Sequence, residues 1–416
     1  MYKRQGQAFD ANYKRHVGDL LPGADGAYTV EVKPYSIVTV TSLDVTRDRQ
    51  WTTPLPVEGE RPVLDADPAH GVLWADGFDY RGKTVPVIGP GGVVTGRRAG
   101  FVDSRGGDTG ADPLYTWDRN GAFEAVATAD SGYVLRQQID RAATGVGRAW
   151  NDADPITGVG DLRWTDYRAS VDVSFERAAA ADNYAAIGAR STGGGSSHGL
   201  GGTPYALRLG SDGAWQFRRL GATVTGGVLD GFDATGPHRL AIQVVGGEVT
   251  GFVDGAPVFT WTDAAPFLSG RVDLASGFHY TRFDNLRIER VPGHRPYYQR
   301  LFDNLETSRL VYGGGWRHAN GRGMFEYQRS ASISQGPGAT IEHTFTGTGL
   351  DLIGVNDGSA RLDVRVDGAL VATAQPTRAS TNFQQTFEVR GLPPGRHSVT
   401  LQVVSGTLLV DAVGVR

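Results

Sequence analysis

Residues 238–261 constrain this chain more than any other stretch. RLAIQVV runs into Gly246-Gly247, EVTGFV into Asp254-Gly255, and APVFTW follows. Gly-Gly and Asp-Gly accept the positive φ of two-residue turns, so the run predicts three antiparallel strands in 24 residues. The same alternation marks 167–176, YRASVDVSFE, which places Val171, Val173 and Phe175 on one face. Strands are also expected over 28–43, with a break at Pro34, and over 339–346, 350–355, 361–366, 369–374, 384–389 and 397–403. The ending LLVDAVGVR reads as a last strand. No long segment carries a 3.6-residue period, so the chain reads as all-β.

Composition agrees. Glycine supplies 59 of 416 residues, roughly twice the usual share, as in folds of short strands and many turns. A net charge of −4, from 41 basic and 45 acidic residues, excludes a strongly basic nucleic-acid binder. With 0 cysteines there is no disulfide framework, thiolate metal site or Cys nucleophile. No apolar run is long enough to span a membrane as a helix. Met1–Phe9 has neither a signal-like apolar core nor a domain-like opening, so the natural protein is expected to continue upstream. Scattered prolines (Pro54, Pro56, Pro62, Pro68) mark 46–72 as an extended linker. A second, shorter one holds Pro292, Gly293 and Pro296.

Catalytic templates fit poorly. Gly195-Ser196-Ser197-His198-Gly199 matches a nucleophile elbow in letters but lies in the Gly-rich loop 193–202 with no helix to follow. Asp65, Asp67 and Asp76 fall at positions 1, 3 and 12 of a helix-loop-helix calcium loop, yet Ala69 and His70 stand where a ligand and a glycine are required. The eleven glutamates offer no pair assignable to glycoside cleavage.

Two arrangements remain. Trp74-Ala75-Asp76-Gly77-Phe78-Asp79-Tyr80 opens the middle region, and Arg282-Phe283-Asp284-Asn285-Leu286 closes it. First and last strands of a sandwich often adjoin, so Asp76, Asp79 and Asp284 are candidate ligands of a structural Ca²⁺ ion; turn and cap roles are the alternative. Tyr312, Trp316, Phe325 and Tyr327 cluster in the last region, as Trp215, Trp261 and Tyr280 do in the middle one. Aromatic faces suit sugar stacking as well as core packing, and Tyr312, Trp316 and Tyr327 are taken as candidate carbohydrate contacts.

From about Gly26 to Arg290 the chain resembles the non-barrel part of the galactocerebrosidase family of glycoside hydrolases. The matching pieces, in order, are DGAYTVEV, SIVTVTSL, FDY, DRNGAFEAV (118–126), LRQQI (135–139), VGDLRWTDYRASVDVSFE (159–176), AAIGAR, the hairpins and GFHYTRFDNLRIER. The resemblance implies a catalytic barrel, a β-sandwich, a wrapping linker and a concanavalin-like lectin domain, with galactose removed by two barrel glutamates. On that pattern 1–45 is a remnant of the post-barrel sandwich, 46–72 the linker and 73–291 the lectin-like sandwich. Both catalytic glutamates would lie in a barrel absent from this chain. The family's calcium ion sits near the first and last lectin strands, where Asp284 matches well, Asp79 through Phe78-Asp79, and Asp76 less closely. Residues 307–416, after a linker at 292–306, resemble galactose-binding-like sandwiches through GATIEHTFTGTGLDLIG (338–354), VRVDG, LPPGRHSV and VDAVGV. The resemblance therefore implies glycan or glycolipid recognition and support of an upstream barrel, in an exported protein. The alternative is a freestanding carbohydrate-binding or adhesion protein.

Overall fold

The computed structural model describes residues 2–4, 15–16, 20–30, 37–40, 67–79, 84–88, 94–99, 113, 115–128, 132–141, 153–176, 182–193, 199–320 and 326–416. The chain divides into two compact units, Met1–Pro62 and Val63–Arg416. In the first, Tyr2–Arg4 pairs with both Arg15–His16 and Ile37–Thr39. Of the strand expected over 28–43, Ile37–Thr39 is formed, Tyr28–Val30 is irregular, and 31–36 and 41–43 lie outside the described residues.

The second unit is all-β and its strand pairs are antiparallel. Two large sheets face one another. The seven-stranded sheet runs, edge to edge, Ala222–Val228, Ala214–Arg219, Tyr205–Gly210, Tyr184–Ser191, Arg271–Ser276, Ile156–Val159 and Trp117–Asn120. The eight-stranded sheet runs Ala256–Thr262, Glu248–Val253, His238–Val245, Tyr167–Phe175, Thr281–Arg290, Gly132–Gln137 and Phe123–Thr128. Its eighth strand, Val72–Asp76, pairs with the second half of Thr281–Arg290, while Gly132–Gln137 pairs with the first half. The hairpins close at Gly246 and Asp254, both at positive φ, as their sequence requires. Inward residues alternate along each strand: Val171 and Val173 meet Leu240, Ile242 and Phe283 across the pleat, and Phe217 stacks on Phe259 at 4.1 Å. Each such fully buried side chain contributes about 1.5–3 kcal/mol.

The C-terminal part forms smaller sheets. One orders Arg300–Asp303, Ala412–Val415, Leu350–Ile353 and Gln385–Val389. Another orders Leu310–Gly313, Thr340–Gly347, Gly395–Ser405, Arg361–Val366 and Ala369–Pro376. A third joins Trp316–Asn320, Ser330–Ser334 and Leu409–Val410. The stretch read as a linker at 292–306 contains the strand Arg300–Asp303, and its tyrosines are fastened on both sides. The Tyr297 backbone N–H donates to Thr165 Oγ1 at 3.0 Å, and the Tyr298 hydroxyl donates to Asp351 Oδ2 at 3.0 Å. Tyr298, Leu301, Tyr327, Ile353 and Phe383 are buried in the same apolar cluster as the core of the large sandwich. Gln384 donates to the Ala265 carbonyl at 2.6 Å. The two sandwiches thus share one apolar layer. Of the linker expected over 46–72, residues 46–66 lie outside the described set, and Pro68–His70 forms a 3-10 turn leading into Val72–Asp76.

Arg190 is fully buried. Its guanidinium donates to the carbonyls of Thr165, Gly246 and Phe267 at 3.2, 2.5 and 2.5 Å and lies 3.3 Å from Asp166 Oδ1. Removing one partner of such a buried, bonded charge leaves the rest unsatisfied, which costs about 3–5 kcal/mol. Arg190→Met is expected to lose that much in urea unfolding followed by tryptophan fluorescence. A loss under about 1 kcal/mol, the size of an ordinary substitution, contradicts the assignment.

Burial pushes the Asp351 carboxyl up to about 6, against the opposing pull of Arg390 and the Tyr298 hydroxyl. The unfolded carboxyl ionises near pH ~4, so the native state holds the extra proton between about 4 and 6, and stability falls as pH rises through that window. The full cost, about 2–3 kcal/mol for a shift of about two units, is present above it. Asp351→Asn keeps an oxygen for Tyr298 and is expected to raise stability by about that amount at pH 7.5 and not at pH 3.5. An equal effect at both values contradicts the burial argument.

Candidate functional site

Asp76, Asp79 and Asp284 sit at the junction where Val72–Asp76 and Gly132–Gln137 meet end to end along Thr281–Arg290. Asp76 is buried and its Oδ1 accepts the Phe78 N–H at 2.8 Å, which bends the chain so that Phe78 takes φ 53° and fills the core. Asp79 then crosses to the neighbouring strand, where its Oδ1 accepts the Tyr133 N–H at 2.7 Å. Gly132 is required there, since a Cβ would stand 2.4 Å from the Asp79 carboxylate.

Asp284 pairs in register with Asp172. Asn285, at φ 48°, donates its N–H to Asp284 Oδ1 at 2.7 Å and its side-chain amide to Asp172 Oδ2 at 2.9 Å. The Asn285 amide oxygen faces Gly77, 3.8 Å from where a side chain would begin. Burial pushes the Asp284 carboxyl up to about 6, and the carboxylates of Asp79, Asp172 and Asp76 push the same way. Asp172 was not identifiable in advance, because its nearness to Asp284 is a matter of strand register. The donor set is all oxygen, the chemistry a hard cation takes. Among the described residues no group of three or more carboxylates or histidines stands in metal-holding geometry.

Tyr312 and Trp316 come together across the Gly314-Gly315 turn, ring centroids 5.0 Å apart at 65°, with His318 4.7 Å from Tyr312. Their polar tips point inward: the Tyr312 hydroxyl donates to the Asn304 carbonyl at 2.8 Å, and Trp316 Nε1 donates to the Thr340 carbonyl at 2.9 Å. Both rings remain partly exposed. Tyr327 is different. It is 4 % exposed, packs edge-on to Phe383 at 6.0 Å and belongs to the apolar layer between the sandwiches. It has no face to offer a sugar, which corrects the expectation for that residue. Trp215 and Trp261 pack against Phe259 and Phe217.

Of the Gly-rich serine motif, residues 195–198 lie outside the described set, and Gly199–Gly202 is a 3-10 turn. Asp65 is likewise outside it, and the Asp67 carboxylate is turned to His70 Nδ1 at 2.6 Å.

A further polar group lies on the outer face of the seven-stranded sheet. Register places Trp117, Gly158, Asp273 and Gly188 in one row across four strands, on the side opposite Val272 and Leu274. Asp273 Oδ2 accepts from Thr203 Oγ1 at 2.6 Å and pairs with the Arg119 guanidinium at 2.5 Å. Arg119 also donates to the Gly193 carbonyl at 2.8 Å. The guanidiniums of Arg119 and Arg271 each lie 5.4 Å from the Trp117 ring centre. The alternation Trp117-x-Arg119 is the only local trace of this group in the sequence, because its members are joined by long-range pairing.

Residues 118–291 match the sequence model of the family described as "Galactocerebrosidase, C-terminal lectin domain". Among curated proteins, "A type blood N-acetyl-alpha-D-galactosamine deacetylase" of Flavonifractor plautii is 34 % identical over 127 residues, which is 30 % of this chain and 15 % of that protein. Solved structures with a similar fold include carbohydrate-binding module CBM66 from Bacillus subtilis, at 14 % identity, covering 42 % of this chain and 94 % of that one with a TM-score of 0.31. Galectin LEC-6 of Caenorhabditis elegans is similar at 13 % identity, covering 33 % of this chain and 91 % of that one with a TM-score of 0.25.

Proposed function

We propose that this chain recognises glycans and performs no bond cleavage itself, as the accessory part of a galactosylceramidase-like retaining glycoside hydrolase whose barrel lies elsewhere in the parent protein. The observation that carries this reading is the match of residues 118–291 to a lectin-domain family on a chain whose second unit, in its described residues, is built of antiparallel sheets. A related stretch inside a deacetylase of N-acetylgalactosamine, an enzyme of different chemistry, favours a recognition role over a catalytic one. It equally supports a second reading, a carbohydrate-binding module used in unrelated proteins. The partner is a glycan or glycolipid, and an exported location follows from that class of partner. Among the described residues no helix is long and apolar enough to cross a membrane.

The test is a glycan array probed with the whole chain, with hits titrated by calorimetry. Binding of a galactose- or N-acetylgalactosamine-terminated glycan at about 1 mM or tighter, −4 kcal/mol, is expected, together with no turnover of an aryl β-galactoside. An array without hits removes the recognition reading, and turnover removes the non-catalytic one.

We also propose that Asp76, Asp79 and Asp284 hold a structural Ca²⁺, with Asp172 and the Asn285 amide oxygen beside them. Arg239 pairs with Asp172 at 2.6 Å, and the ion would offset the charge of Asp76, Asp79 and Asp284. A ligand bound only by the folded state at about 100 times its dissociation constant adds about 2.7 kcal/mol. Millimolar Ca²⁺ is therefore expected to raise the melting temperature by about 5 °C relative to chelator, and Asp284→Ala to erase the difference. Identical melting of the unsubstituted chain in Ca²⁺ and in chelator counts against the ion.

A further inference from the structure

We infer that the outer face of the seven-stranded sheet, at Trp117, Arg119, Arg271 and Asp273, is a binding site for the ring of a neutral hexose. The inference rests on the glycan-recognition reading and gives it a place.

Buried polar atoms in folded proteins are almost always paired. Here three atoms of one cluster are not. Asp273 Oδ1, Arg119 Nε and Arg271 Nε have no hydrogen-bond partner, although the Asp273 and Arg119 side chains are only 1 % and 2 % exposed. An ion pair kept for stability alone would close on itself. This one spends Asp273 Oδ2 on both Thr203 and Arg119 and leaves Oδ1 unbonded.

The neighbouring strands carry glycines that let the indole and the Thr203 methyl close on the carboxylate. Gly158 lies in register with both Trp117 and Asp273, and a Cβ there would stand 3.2 Å from Asp273 Oδ1 and 3.2 Å from the indole ring. Any larger residue would wedge between them. Gly188, on the other side of Asp273, admits the Thr203 methyl group, which would lie 2.5 Å from a Cβ. Trp117 and Arg271 are partly exposed and form the solvent side of the group.

The chemistry fits one ligand class. A sugar hydroxyl both donates and accepts, so it matches a lone carboxylate oxygen beside a lone guanidinium N–H. The C–H face of a pyranose matches an indole. Asp273 and Asp161 both act on Arg271, so the arginines are not free for an anion, and the unbonded Asp273 oxygen accepts a donor and repels an anion. That selects a neutral sugar over a sialylated or uronic one.

The experiment uses the whole chain, titrated with methyl β-D-galactopyranoside, methyl N-acetyl-α-D-galactosaminide and sialyllactose, read by saturation-transfer NMR and tryptophan fluorescence. Arg271→Gln removes a partly exposed donor and is expected to weaken the neutral glycosides at least tenfold, about 1.4 kcal/mol, with an unchanged melting temperature. Asp273→Asn is the stronger change; because it unpairs buried Arg119, it is read only if circular dichroism shows it folded. Trp316→Ala serves as the control for the other aromatic pair and is expected to stay within twofold. Retained affinity in Arg271→Gln with loss in Trp316→Ala overturns this site and moves recognition to the C-terminal sandwich, leaving the glycan reading intact. Preference for sialyllactose overturns the neutral-hexose assignment. Failure of all three sugars, together with an array without hits, overturns the glycan reading itself.

Discussion

The large sandwich is closed around one fully buried cation, Arg190. Arg190 ends one strand of the seven-stranded sheet at φ 57°, and its side chain is swallowed where the two sheets close on one another. A charge taken from water must find equivalent partners or shift its protonation, and a guanidinium does not deprotonate. It finds them in three backbone carbonyls and Asp166. Those carbonyls belong to the entry of Tyr167–Phe175, the Gly246 turn and the Phe267 segment, so one side chain fixes both sheets. Asp166 in turn accepts the Gly246 N–H at 2.7 Å. Gly270 completes the arrangement, since a Cβ there would lie 2.4 Å from the Arg190 carbonyl carbon.

The same knot reaches the second sandwich. Thr165 accepts from Arg190 through its carbonyl and from the Tyr297 N–H through its hydroxyl. Tyr297 carries the Arg416 guanidinium 4.2 Å above its ring, and Tyr298 bonds to buried Asp351. The connection between sandwiches is therefore ordered by polar contacts at its ends and by an apolar layer between them. A spacer rich in proline and glycine reads as flexible in sequence, yet here its tyrosines find partners on both sides. Fixed geometry follows, and any glycan surface on one sandwich keeps its orientation toward the other.

The sequence was most informative where one face of a strand is wet. The strands His238–Val245, Glu248–Val253 and Ala256–Thr262 fall within a residue of expectation, because alternation and turn glycines act locally. The same holds for Tyr167–Phe175, and the strands from Thr340–Gly347 through Gly395–Ser405 fall within two residues of expectation. Tyr184–Ser191 was not legible by period. It is buried at every position, since Tyr184 and Ala186 join Leu200, Ile156, Ala206 and Ala275 in a second apolar cluster on the outer side, and a strand buried on both faces loses its alternation. Ala214–Arg219 and Ala222–Val228 were missed for another reason. Their turn places Leu220 at φ 46°, a conformation that leucine does not advertise.

Site residues were legible only in part, and the reason is register. Asp76 and Asp284 could be paired in advance because first and last strands of a sandwich tend to adjoin, and the structure sets Asp76 opposite Leu286. Asp172 and Asp273 could not, for nothing near them in sequence names their partners. The same limit explains Tyr327, which sits among aromatics in the sequence but beneath Phe383 in the fold. Spacing shows which side chains share a face of one strand; the pleat decides which strands share a row. On the outer face of the seven-stranded sheet, that row brings a tryptophan, a glycine, an aspartate and a second glycine together from four separate strands. The glycines matter as much as the aspartate. A β-sheet face presents side chains at close, regular spacing, and Trp117 and Thr203 reach Asp273 because Gly158 and Gly188 put no side chain in their way.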